Sequence, residues 1–161
     1  MPRIFLSIGS NLEPERHIPG AILDLEKEFG ALDVSSIYES EAVGFEGPVF
    51  HNLVASFESD LSAVAIASKL RAIEEAHGRT RDSRKFSSRT LDIDLILYGQ
   101  DIIQTENLEI PRSEIARYAF VLEPLAEIAP TLKDPVHGLT YQELWARFDR
   151  AKVQQRRIAS P

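Results

Sequence analysis

A chain of 161 residues that is 43% hydrophobic, with 8 Phe and 4 Tyr, carries enough apolar mass for one folded core and is not composed like a disordered segment. Its formal charge of -7 argues against a general nucleic-acid binder, which needs a basic face to neutralise phosphates. The absence of cysteine removes disulfides, thiolate nucleophiles and Cys-ligated zinc together, as a reducing cytoplasm would allow.

Residues 2–9 predict a short apolar strand ended by the turn formers of "GSN", and that run is too short for an export signal or a membrane helix. Neither a membrane nor nucleic acid is therefore an expected partner, and cytoplasm is the expected location. From Pro14, the positions Ile18, Ala21, Ile22, Leu25 and Phe29 recur at helical spacing, with Gly30 as the stop. "ALDVSSIYES" predicts a second strand and "AVGFEGPV" a turn-rich loop. "FHNLVASFES" predicts a third strand, with Leu53, Ala55 and Phe57 on one face and Asn52, Val54 and Ser56 on the other.

A second helix runs from Ser62 to Gly78, then comes a polar loop, then a strand over residues 90–98. "GQDIIQT" predicts a tight turn into a hairpin partner of that strand. "AFVLEPLAEIAP" reads as a buried helix interrupted by Pro124 or as two short pieces. "GLTYQELWARF" predicts a last helix capped by Thr140, with Glu143 three residues on and Trp145 in the core. Residues 1–150 are expected to form a single domain and 151–161 a frayed tail. The order predicts an α+β sandwich on the ferredoxin-like βαββαβ plan, with helices on one face of a mainly antiparallel sheet and C-terminal helical additions.

The chemistry concentrates around residues 78–94. Alternation along the fourth strand puts Leu91, Ile93 and Leu95 on one face and Asp92, Asp94 and Ile96 on the other. Carboxylates at i and i+2, with backbones about 7 Å apart, repel unless they face water or share a cation. The pair fits either a solvated edge that discourages sheet pairing or an oxygen-ligand cation site. Just upstream, "GRTRDSRKFSSR" holds five basic residues against one acid, a pattern suited either to a solvated loop or to gripping phosphate oxygens. No Walker A spacing is present, so phosphates would be held by side chains. Asn52 either reads a heterocycle or caps a loop, Phe86 either stacks on a flat ligand or anchors its loop, and Glu74 either points toward the basic loop or is surface charge. His17, His51, His77 and His137 have no metal-ligand spacing.

Taken together, "SIGSNL", "FHN", "GRTRDSRKF", "RTLDIDLILYG", "IPR" and "FVLEPLAEIAP" resemble the 6-hydroxymethyl-7,8-dihydropterin pyrophosphokinase family of folate biosynthesis, over residues 3–148. The resemblance implies transfer of the pyrophosphoryl group of ATP to the pterin hydroxymethyl, with release of AMP. It implies ATP as co-substrate and two Mg²⁺ ions held by Asp92 and Asp94, which with Arg79 and Arg89 form the catalytic set. It also implies nucleotide contacts from Arg79, Arg81, Lys85, Arg89, Leu95, Arg112 and Arg117, and a pterin slot lined by Ser40, Val43, Phe50, Asn52, Phe86 and Phe120. No residue stands out as a dedicated general base.

The chain departs from the family pattern at four places. "SEAVG" replaces "TPPLG" or "TEPVG", and Ser87 and Ser88 replace the Gly-Pro of "WGPRTLD". Arg112 stands at a histidine position, and Tyr118 stands where an arginine is expected, with Arg117 one residue earlier. These departures leave open a catalytically weak pterin- or nucleotide-binding relative, or a related phosphoryl transferase with altered donor or acceptor.

Overall fold

The computed structural model describes residues 1–42, 46–78, 90–151 and 153–159. Its central strand, β1 (Arg3–Ser10), is buried almost throughout and pairs antiparallel with both β4 (Phe50–Glu58) and β5 (Asp92–Tyr98). Between β1 and β5 the chain forms α1 (Pro14–Phe29), β2 (Asp33–Val34), β3 (Ile37–Ser40) and α2 (Ala63–Ala76). The main sheet runs β5-β1-β4-β3 and ends on a C-terminal strand, β8 (Gln155–Ala159), with β2 also on β4; its first four strands have the interleaved order expected of the βαββαβ plan.

The first layer follows from the alternation. Ile4, Leu6 and Ile8 of β1, Leu53, Ala55 and Phe57 of β4, and Leu91, Ile93 and Leu95 bury against Ile18, Ala21 and Leu25 of α1 and Ile66 and Leu70 of α2. Both helices have sharp ends. Pro14 opens α1 and Gly30, at φ 86°, closes it, whereas the Ser62 hydroxyl accepts the Ala65 N–H at the start of α2.

The expectation of helices on one face is corrected by α3 (Glu114–Arg117), α4 (Ala119–Ile128) and α5 (Tyr141–Arg147), which cover the other. Phe5, Val54, Ile96 and Leu97 make that face apolar, and Val121, Leu122 and Leu125 pack on it. Ile96 and Leu97 both join this layer because the register against β1 slips between Phe5 and Leu6, the signature of a bulge. Residues 119–128 form one helix with Pro124 inside it, and Thr140 and Glu143 close a capping box on α5.

Three further expectations change. The strand predicted over residues 31–40 is broken: Ser35 donates its N–H to Val54 O at 2.8 Å while its Oγ accepts the Val54 N–H at 2.9 Å, so a side chain takes one rung of the ladder. The turn after β5 leads into β6 (Ile103–Gln104), which pairs with β7 (Glu109–Ile110) and not with β5. The tail expected to fray instead supplies β8 (Gln155–Ala159), because the outer edge of β3 offers open backbone groups that Gln155–Ala159 pair with. Among the described residues, no helix is long and apolar enough to cross a membrane.

Candidate active site

One transverse row of the sheet carries the centre of the site. Asp92 of β5 lies opposite Gly9 of β1, Gly9 opposite Asn52 of β4, and Asn52 opposite Tyr38 of β3. Residues directly opposite on antiparallel strands share a face, so Asp92 and Asn52 flank the bare α-carbon of Gly9. The neighbouring row places Asp94 opposite Ser7. The second face of the sheet is thus divided. At one end Phe5 and Ile96 lie under the C-terminal helices; at the other, Asn52 and Asp92 present polar groups, and the row between them runs from Asp94 through Ser7 to the apolar Val54.

On the β4 side the site is ordered by close contacts. Asn52 is 4% exposed and donates from Nδ2 to Ser40 Oγ at 3.2 Å. A Cβ on Gly9 would stand 2.7 Å from Asn52 Oδ1, so glycine is what lets the amide reach its place. Phe50 lies opposite Ser40, half-buried. Ser40 and Phe120 line one cleft of about 390 Å³, in which Phe120 stacks on Tyr118 with ring centroids 5.0 Å apart.

On the β5 side, buried Glu74 accepts the N–H of Ile93, the residue between the two aspartates, at 2.8 Å. This ties α2 to the edge of β5 and fixes the strand from which both carboxylates project. Arg112 forks onto Glu114 at 2.7 and 3.2 Å and lines, with Glu74 and Asp94, a second cleft of about 220 Å³. Burial pulls the Arg112 pKa down, but the charges of Asp94 and Glu114 outweigh it and the net shift is upward. Arg112 therefore stays a fixed cation beside Asp94.

The other sequence candidates are distributed as follows. Arg117 lines the Ser40–Phe120 cleft, apart from Arg112. Leu95 belongs to the core layer under α2 and borders the smaller cleft. Val43, Arg79, Arg81, Lys85, Phe86 and Arg89, with Ser87 and Ser88, lie outside the described residues. Gly9 went unnoticed in the sequence because "GSN" resembles a strand end; a glycine within a strand, marking close approach, was the available signal.

The donor set suits a hard cation. Among the described residues there is no cluster of three or more His, Cys, Asp or Glu that could hold a metal by itself. The two carboxylates of β5, of which Asp94 borders the smaller cleft, suit Mg²⁺, which joins one or two carboxylates to phosphate oxygens.

The model of the 7,8-dihydro-6-hydroxymethylpterin-pyrophosphokinase family matches residues 5–130. The chain is 37% identical over 137 residues to a 2-amino-4-hydroxy-6-hydroxymethyldihydropteridine pyrophosphokinase of Pseudomonas aeruginosa, covering 83% of this chain and 84% of that one. It is also 37% identical over 152 residues to the Synechocystis enzyme of the same name, covering 92% and 77%. The Plasmodium falciparum HPPK-DHPS structure with pterin and p-hydroxybenzoate shares the fold at a TM-score of 0.71 and 15% identity; it covers 91% of this chain, which spans 43% of that one. The family match over most of the chain, with these two relatives, shows that the chain belongs to the 7,8-dihydro-6-hydroxymethylpterin-pyrophosphokinase family.

Proposed function

We propose that Asp92 and Asp94 serve the pyrophosphoryl transfer of this family by holding Mg²⁺ against the ATP phosphates, while Asn52, Ser40, Phe50 and Phe120 hold the pterin. The chain is a pyrophosphokinase of folate biosynthesis that uses ATP as co-substrate. In the reaction, the pterin hydroxymethyl oxygen attacks the β-phosphorus of ATP. The bond from that phosphorus to the α,β-bridging oxygen breaks, AMP leaves, and the hydroxyl proton is lost.

The observation that supports the residue assignment is the row Asp92–Gly9–Asn52: a carboxylate and an amide share one face, either side of a residue with no side chain, with Asp94 in the next row. Held there, Mg²⁺ would neutralise charge on the triphosphate and so lower the barrier to attack. The protein's own part is to orient. Glu74 fixes the strand under the aspartates, Arg112 supplies positive charge beside Asp94, and Asn52 offers an amide to the edge of a flat heterocycle. Arg79, Arg81, Lys85 and Arg89 complete the nucleotide side of this reading, with Leu95 bordering it; Val43 and Phe86 complete the pterin side, and Arg117, expected at the nucleotide, lines the pterin-side cleft. A cytoplasmic location belongs to the same reading.

The test is a product assay. Purified protein with Mg²⁺, ATP and 6-hydroxymethyl-7,8-dihydropterin is expected to release AMP and pterin diphosphate, and ADP in place of AMP would make it a phosphoryl transferase. Asp92→Asn and Asp94→Asn are each expected to lower kcat by roughly a thousandfold or more while pterin affinity stays within about threefold. Equal loss of both would leave the pair structural.

A further inference from the structure

The family match ends at residue 130, yet a segment beyond it builds part of the pterin-side cleft. Strand β8 runs along β3 with Gln155 opposite Ser40, the residue whose hydroxyl accepts from Asn52. The half-buried Gln155 side chain turns toward α4. Its Nε2 donates to Ala119 O at 3.1 Å and to Glu123 Oε1 at 2.8 Å. Both amide protons are thereby used, and the two acceptors fix which way the amide is turned. Ala119 immediately precedes Phe120, the aromatic wall of the cleft.

Gln155 thus joins the two sides of the slot. Its backbone belongs to the sheet beside Ser40, and its side chain holds the first turn of α4, on which Phe120 rides. Without that link, the first turn of α4 would be placed against the Ser40–Asn52 edge only by packing and by the Glu127 hydrogen bonds to Ser36 and Tyr38, two turns further along the helix. A flat heterocycle bound between an amide edge and an aromatic ring depends strongly on that separation.

We propose that β8 is a wall of the acceptor site and that Gln155 is a positioning residue which sets the width of the pterin slot. The proposal rests on the reading of this cleft as the pterin side. It makes the C-terminal strand a determinant of acceptor binding, separate from the nucleotide end of the site.

The experiment compares Gln155→Leu, Gln155→Glu and Arg156→Ala in the full chain, with KM for pterin and for ATP, kcat and melting temperature measured for each. Leucine keeps the volume and removes both hydrogen bonds; the pterin KM is expected to rise about five- to tenfold while the ATP KM and kcat stay within about twofold. Glutamate places a carboxylate against Glu123 and the Ala119 carbonyl, and is expected to raise the pterin KM further. Arg156, exposed on the same strand and paired with Glu39 at 3.3 Å, is the control: Arg156→Ala should keep the wild-type pterin KM.

A pterin KM that Gln155→Leu leaves unchanged, or that rises only in parallel with the ATP KM, overturns the proposal. So does an equal rise in Arg156→Ala, since loosening the strand would then suffice. Calorimetric pterin binding gives the same comparison without turnover. A wild-type protein that forms no product would count against the pterin reading itself.

Discussion

Gly9 and Asn52 show how closely one residue's chemistry depends on another's missing atoms. The amide of Asn52 fits only because nothing projects from Gly9, and it is held by Ser40 on its other side. Gly9→Ala would bring a Cβ to 2.7 Å from Asn52 Oδ1, and the amide can yield only by giving up its bond to Ser40. The expected result is a pterin KM raised roughly tenfold, an ATP KM within about twofold, and a stability loss of about 1 to 2 kcal/mol. Steady-state kinetics with each substrate varied, alongside urea unfolding, measure all three. A variant that weakened ATP instead would show that Gly9 serves the carboxylate side of the row.

At the scale of elements, α1 and α2 meet through polar groups where α2 ends. The titratable and charged groups there are Glu13 just before α1, Arg16, His17 and Asp24 of α1, and His77 at the end of α2. His17 Nδ1 lies 2.8 Å from His77 Nδ1, and His77 Nε2 lies 2.9 Å from Asp24. One imidazole nitrogen must donate and the other accept, so the contact needs a neutral ring. Burial first, then the charges of His77 and Arg16, hold the His17 pKa below 6.5, with Glu13 opposing. An unfolded chain takes up that proton near 6.5 and the folded chain resists it, so the contribution is complete above about 6.5 and is lost as pH falls below it. The unfolding free energy from urea titrations between pH 7.5 and 5 is expected to fall by up to about 1 kcal/mol per pH unit, and His17→Gln should flatten that slope. Equal slopes in both proteins would remove His17 from the account.

The same scale shows what the sequence could reveal. Helices α1, α2 and α5 were legible because each pairs a helical apolar stripe with an end signal, as did Pro14 with Gly30 and Thr140 with Glu143. The opposed faces of β5 were legible from alternation alone. The layer formed by α4 was not, because a helix apolar on most sides does not say which face of a sheet it covers. Nor was β8, where "QRRIA" has too little apolar content to read as a strand, and its partner β3 lies more than 110 residues upstream. Within the site, the Asp92–Asp94 pair could be read locally. The Asn52–Ser40 contact depends on a register that the turn-rich segment between β3 and β4 does not encode.

For the whole molecule, a single carboxylate joins the sheet, the second helical layer and the C-terminal strand. Glu127 of α4 accepts from Ser36 N at 3.0 and 3.1 Å, from Ser36 Oγ at 3.0 Å and from Tyr38 OH at 2.6 Å. Arg157 of β8 adds its charge at 3.7 Å and donates to Tyr38 OH at 3.1 Å. Burial raises the Glu127 pKa, but the Tyr38 and Ser36 hydrogen bonds outweigh it, with Arg157 adding to them, and the net shift is below 4.5. Asp134 is lowered in the same sense, its burial outweighed by donors from His137, Tyr141 and Val136. A carboxyl depressed on folding contributes stability above its unfolded value, near 4.5 for Glu127, and loses it as pH falls through the folded value. Glu127→Gln keeps the shape but removes the charge and turns an amide donor toward groups that are already donors. It is expected to cost about 1 to 3 kcal/mol at pH 7, and the gap to wild type should close as pH falls from 5.5 toward 3.5. Urea unfolding across that range decides it. Parallel curves would mean that Glu127 holds these layers together by shape, with no contribution from its charge.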